Sequence, residues 1–156
     1  MEKRTRIYDQ SEKGVVSFCQ YHLVWCTCFR RPILNEEIRD LLKGEIQDIC
    51  RETDIRLRRI LLYPDWIGLT VEVSPETPPS RIVHRIRTHC AGLLKRRYPE
   101  LNSRVASIFT LDYFVTTQEE FPEHAVAVWI RSRPRWSKPK KQKAREYAHV
   151  KRIRLE

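Results

Sequence analysis

The chain has 156 residues, of which 30 are Lys or Arg and 20 are Asp or Glu, a formal net charge of +10. That length suits one domain with tails and a core that needs no disulfides; with no membrane-length apolar run and no signal peptide, a cytoplasmic protein with no membrane partner is expected. The charge is unevenly placed, because Arg131 to Glu156 holds eleven Lys/Arg against two Glu, +9 of the +10, and such a segment favours a polyanion.

Residues 1–13 read as a flexible basic arm. Gly14 to Cys28 reads as a long strand rich in β-branched and aromatic residues, ended by Arg30-Arg31-Pro32. The five cysteines, Cys19, Cys26, Cys28, Cys50 and Cys90, lack paired zinc-ligand spacing and read as buried thiols. From Asn35 a helix is expected: Asn35 caps it, Glu36 and Glu37 sit in its first turn, and Ile38, Leu41, Leu42, Ile46 and Ile49 form an apolar stripe. Arg56 to Leu62 reads as the next strand.

The stretch Tyr63 to Val73 follows, read as one strand with two faces once a turn at Tyr63-Pro64 is passed. Ile67, Leu69, Val71 and Val73 make an apolar face; Trp66, Gly68, Thr70 and Glu72 make the other. Glycine within a strand usually marks a close approach to the backbone, so that second face is where a site is expected.

Glu76 to Ser80 makes a loop, with Ser80 expected to cap a second helix running to about Arg97. Its apolar residues are Ile82, Val83, Ile86, Cys90, Leu93 and Leu94. The remaining surface carries Arg81, Arg85, Arg87, His89, Lys95, Arg96 and Arg97 with no acid among them, which favours phosphate contacts over plain solvation. Val105 to Thr117 supplies the last strand or strands, and a third helix spans roughly Glu119 to Arg131. Two prolines, Pro134 and Pro139, then break structure. Residues 134–156 read as a nucleic-acid-binding tail, in which Arg135, Trp136, Lys138, Lys140, Lys141, Lys143 and Arg145 combine charge with aromatic surface. A solvated, disordered tail is the plainer alternative. The order β-α-β-β-α-β-α implies an α+β sandwich of the ferredoxin-like or RRM-like type, an antiparallel sheet with helices packed on it.

Three landmarks carry a family resemblance over about residues 15 to 133. Tyr21 to Leu34 resembles the opening strand of the single-tyrosine HUH transposases of insertion sequences and their REP-associated relatives. In that family an Asp-His-apolar-His strand binds the catalytic metal; here it reads Asp65-Trp66-Ile67-Gly68-Leu69. A Tyr-Phe-Val-x-Thr strand matches Tyr113 to Thr117, and the helix after it resembles the one that carries a tyrosine and, four residues on, a glutamine. Trp129 and Arg133 stand at those two positions.

The resemblance therefore implies a transposase-like domain over residues 14–133 whose catalytic positions, Trp66, Gly68, Trp129 and Arg133, are degenerate. Neither Trp nor Gly nor Arg donates to a divalent cation, and Trp has no hydroxyl to attack a phosphodiester. No cofactor and no catalysis are expected, although Tyr98, Tyr113 and Tyr147 remain as alternative hydroxyls. His22, His84, His89, His124 and His149 are too scattered to form a metal site. Trp66 and Trp129 are expected to meet, or nearly meet, as a plug over the old metal pocket; the alternative is that they stack a base with Arg133 on a phosphate.

Carried over from the family are a homodimer, for which the apolar first strand offers an edge, and a hairpin of single-stranded DNA or RNA as partner. The sequence reading is thus of a transposase-derived nucleic-acid-binding protein. Two rivals stay open: an active divergent nickase, and a protein-interaction subunit of a larger nucleoprotein complex.

Overall fold

In the computed structural model, residues 8–10, 14–101 and 107–135 are described. Their elements are β1 (Asp9–Gln10), β2 (Val16–Ser17), β3 (Cys19–Cys26), α1 (Glu36–Glu52), β4 (Arg56–Leu62), β5 (Trp66–Val73), α2 (Pro79–Arg97), β6 (Phe114–Thr116) and α3 (Glu123–Arg131). β1 and β2 pair with each other, and the other four strands form an antiparallel sheet in the order β4-β5-β3-β6. From β3 onward the element order is β-α-β-β-α-β-α. Each helical crossover skips one strand position, which is the split βαβ logic of a ferredoxin-like α+β sandwich.

Side-chain alternation divides the sheet into two faces. Leu23 and Trp25 of β3 lie with Ile67, Leu69, Val71 and Val73 of β5 in the main core. Onto that face α1 brings Ile38, Leu42, Ile46 and Ile49, and α2 brings Ile82, Val83, Ile86, Cys90 and Leu94. The start of α1 follows local chemistry, since Asn35 Oδ1 accepts a hydrogen bond from the Ile38 amide at 2.9 Å and two glutamates face the helix dipole. The opposite face carries Val24 and Cys26 under Val126 and Ile130 of α3. Helices therefore cover both faces, and the sheet separates α1 and α2 from α3.

Several expectations are corrected. The first strand does not run unbroken from Gly14 to Cys28: β2 and β3 are separate, and Cys28–Arg30 form a short 3-10 turn in which Phe29 and Arg30 take φ of 57° and 51°. Nor is its main part an edge, because β3 pairs with β5 along its length and with β6 at His22–Val24. Among the described residues the outer strands are β4 and β6. The residue chosen as cap of α2 lies inside the helix, which begins at Pro79 with Pro78 in the cap position and no side-chain cap bond; a proline at the first turn loses no amide that the helix needs. The central strand starts at Trp66, Tyr63 to Asp65 being the turn. Residues 1–7, 11–13, 102–106 and 136–156 lie outside the described set, and with them most of the arm, Tyr147 and the tail from Trp136 onward.

Thiol chemistry follows from this packing. Burial pushes the Cys26 thiol up to about 12, Cys50 to about 11 and Cys90 to about 12; Cys28 is buried as well, and Cys19 is half-buried. Since the thiolate is the nucleophile, a thiol reagent should modify Cys19 first in the folded protein, and the other four only on unfolding. Uniform labelling of all five in native buffer would contradict this packing.

Candidate functional site

The strand register sets out the second sheet face level by level. Cys26 lies opposite Trp66, Val24 lies between Phe114 and Gly68 with Leu61 beyond, and His22 lies between Thr116 and Thr70 with Arg59 beyond. A β-bulge between Leu57 and Arg59 keeps Arg59 on this face.

Trp66 and Gly68 are the two positions where the resemblance puts metal-binding histidines, and the structure makes them one unit. A Cβ built on Gly68 would stand 3.0 Å from Trp66 Cζ3, so the indole folds along the strand over the glycine. Glycine here is explained by close approach. The indole also stacks on Tyr63, with centroids 4.3 Å apart and planes 7° apart. The two tryptophans both pack on the Val24–Cys26–Val126–Ile130 cluster, Trp66 from the β4 side and Trp129 against Phe114 at 6.0 Å between centroids. They line one cluster, each with its own aromatic partner.

At the glutamine position, the Arg133 guanidinium lies 4.9 Å from the Trp129 ring centroid and pairs with Asp112. Arg133 lies just past the end of α3, where the Ser132 cap and the Arg133 amide bond to the Ile130 carbonyl turn it back toward the Trp129 ring. Burial by itself would raise the Asp112 carboxyl, but hydrogen bonds from Thr110 and Arg133 and the Arg133 charge outweigh it and hold the carboxyl below its usual value. A depressed carboxyl contributes stability above its unfolded value, near 3.8, and loses it as pH falls through the folded one. Acid should therefore loosen the end of α3, and Asp112→Asn should flatten that part of the stability profile below about pH 4; an unchanged acid profile in the variant would refute this.

These residues do not fit a divalent cation. The indole fills the space over the strand, Arg133 brings positive charge, and no cluster of three His, Cys, Asp or Glu exists among the described residues. The alternative hydroxyls are no better placed: Tyr113 and Tyr98 pack against the main core, across the sheet from α3, and Tyr98 donates to Glu37.

The aspartate of the landmark has a structural task. Arg30 Nε and Nη2 donate to Asp65 Oδ2 at 3.2 and 3.0 Å, and the Asp65 carbonyl accepts from the Thr27 amide at 2.9 Å. A further polar link was missed in the sequence. His22, buried at 2 % exposure, sets Nδ1 2.8 Å from Thr70 Oγ1 and Nε2 2.8 Å from the Gln118 carbonyl. A carbonyl only accepts, so Nε2 carries a proton and donates it to Gln118, while Nδ1 shares a hydrogen bond with the threonine hydroxyl. The one available signal was that His22 shares the strand face of Val24 and Cys26.

The basic residues chosen from α2 are not gathered at this site. Arg81, Arg85 and Arg96 are exposed and Lys95 half-buried, all on a helix that packs on the opposite sheet face. Arg87 is engaged within the fold: its Nη1 donates to the Thr110 and Leu111 carbonyls at 3.0 and 2.9 Å, and burial lowers its guanidinium below the usual value. It clamps the loop before β6 and does not face outward. Arg133 is likewise engaged within the fold, Arg135 is exposed at the end of the described chain, and Trp136, Lys138, Lys140, Lys141, Lys143 and Arg145 lie beyond it. What the sequence reading missed is the row on β4, where Arg56, Arg58 and Arg59 are close to half exposed. Arg56 and Arg58 meet Glu72, and Arg59 lies 5.4 Å from the Phe121 ring centroid.

Comparison with known proteins gives consistent findings. The family model described as "Transposase IS200 like" matches residues 15–133. The ISDra2 transposase TnpA of Deinococcus radiodurans is 24% identical over 122 residues, which are 77% of this chain and 87% of that protein. A crystal structure of a transposase from Deinococcus radiodurans superposes with a TM-score of 0.75 at 22% identity, covering 82% of this chain and all of that one, a likeness of fold.

Proposed function

The chain belongs to the IS200-like transposase family, and from that premise we propose that it is a non-catalytic member that binds structured single-stranded nucleic acid, a hairpin of DNA or RNA. The observation that carries the loss of catalysis is the Trp66 indole lying over Gly68, with Trp129 and Arg133 at the other two positions. Every donor the reaction would need is replaced by a ring, a hydrogen atom or a cation. The replacements also pack together, which is how a chain behaves once selection acts on its fold alone at that place.

Retained binding is supported by charge. The segment from Arg131 to Glu156 carries +9 of the +10, and polycationic segments gain affinity for phosphates by counterion release. Binding to a hairpin follows the family's habit and is read by shape and backbone charge. A homodimer, also carried over from the family, would use β4 or β6, the outer strands among the described residues.

The test is a labelled DNA or RNA hairpin incubated with the protein and Mg²⁺ or Mn²⁺, analysed on native and denaturing gels. The expected result is a salt-sensitive native shift and no covalent adduct. An adduct that survives denaturation would restore the enzyme reading, because a tyrosine nucleophile leaves the protein attached to the strand.

A further inference from the structure

The emptied catalytic face is only half covered. α3 lies over the β3 and β6 side, where Val126 and Ile130 bury Val24 and Cys26. Among the described residues no helix covers the β4 side, and what it presents is a formed aromatic stack bordered by arginines. Tyr63 is 46% exposed although its ring lies flat on Trp66. Arg59, Leu61 and Tyr63 occupy alternate positions, and Leu61 touches the space over Gly68 beside the indole. The Arg59 side chain is 49% exposed, with a 3.9 Å ion pair to Glu123 and the Phe121 ring beside it. Four residues of extended chain, from Arg59 within β4 to Tyr63 just past its end, span about 13 Å.

We propose that this open half of the sheet is a second nucleic-acid surface, separate from the basic tail, on which a base of an unpaired strand stacks on the outer face of Tyr63 while a neighbouring phosphate meets Arg59. The inference rests on the nucleic-acid reading above and deepens it by naming what the old catalytic face now holds. Three physical features favour it. The two rings are already parallel, so little side-chain freedom remains to be lost when a base adds as a third layer. Aromatic faces accept any base, so no hydrogen-bond readout is needed. Sheets of this βαββαβ type offer bases an aromatic-bearing face opposite their helices, and here that face is open where Tyr63 stands. The acids close by, Glu72 and Glu123, are each met by arginine, Glu72 by Arg56 and Arg58 and Glu123 by Arg59. The same face that lost its metal chemistry thereby keeps a use for its shape.

The experiment compares full-length proteins binding a fluorescein-labelled oligothymidylate, which has no hairpin, across a salt series. Tyr63→Ala is expected to weaken binding about tenfold or more, the usual loss for one stacked base, with the slope of log affinity against log salt unchanged. Tyr63→Phe should bind as the native protein does. Neutralising Lys140, Lys141, Lys143 and Arg145 to glutamine should instead flatten the salt slope. Because Tyr63 is half exposed, Tyr63→Ala should melt close to native, and the phenylalanine variant separates lost stacking from lost folding. Native-like affinity of Tyr63→Ala, while the tail variant loses binding, would overturn this surface and leave the proposed function standing. Failure of the native protein to bind either oligothymidylate or hairpins would overturn both.

Discussion

Trp66→Ala is expected to destabilise the fold by about 3 kcal/mol, the low end for a large aromatic that is partly exposed, and to lower Tm by roughly 6–12 °C for a domain of this size. The indole packs on the Val24–Cys26 cluster, covers Gly68 and supports Tyr63, so its loss removes all three contacts at once. Gly68→Ala tests the same geometry from beneath. Its methyl would stand 3.0 Å from Trp66 Cζ3, so the ring must be pushed outward, whereas in a Trp66→Ala background nothing opposes the methyl except ordinary contacts with Leu61 at 3.5 and 3.6 Å. The two substitutions should therefore be strongly non-additive, with Gly68→Ala costly alone and neutral or helpful beside Trp66→Ala. Additivity in thermal or urea melts would mean that the indole does not lie over the glycine. A Trp66→Ala protein of native stability that no longer binds nucleic acid would place the indole in the binding surface and not under it.

Asp65→Ala should cost about 3 kcal/mol as well, through electrostatics and not through volume. The side chains of Arg30 and Asp65 are 11% and 17% exposed, and removing one member of such a pair leaves the other with its desolvation uncompensated. The loss is larger than for a surface pair because Arg30 itself sits at φ 51°, held in a left-handed turn by the contacts around it. Asp65→Asn retains an acceptor and should lose less. The measurement is the urea midpoint at constant m-value; equal midpoints for Asp65→Ala and the native protein would show that the turn at Cys28–Arg30 is held by backbone bonds alone. Asp65 supports the fold whether or not a metal is bound.

Much of the architecture was legible from residue order. Apolar alternation in Ile67, Leu69, Val71 and Val73, the 3.6-residue stripes from Ile38 and Ile82, and the Asn35 cap are local signals, and burial of an apolar face is the dominant stabilising term, so local pattern and global fold agree. The same alternation separated the site face of β5 from its core face, and identified Gly68 as a place of close approach. The first strand misled because its long apolar run fits an edge and a doubly paired centre equally well. Only pairing with both β5 and β6 decides between them.

What the sequence by itself determined is therefore the βαββαβα order, the two faces of the sheet and the family. What only the tertiary structure decided is who touches whom around the sheet: Tyr63 on Trp66, His22 between Thr70 and Gln118, Arg133 on Asp112, and Arg87 turned inward to the Thr110 and Leu111 carbonyls. Such contacts join segments up to about a hundred residues apart in the chain. They depend on strand register, on the bulge in β4 and on where α3 lands, and those are set by packing between elements and not by propensity within any one of them.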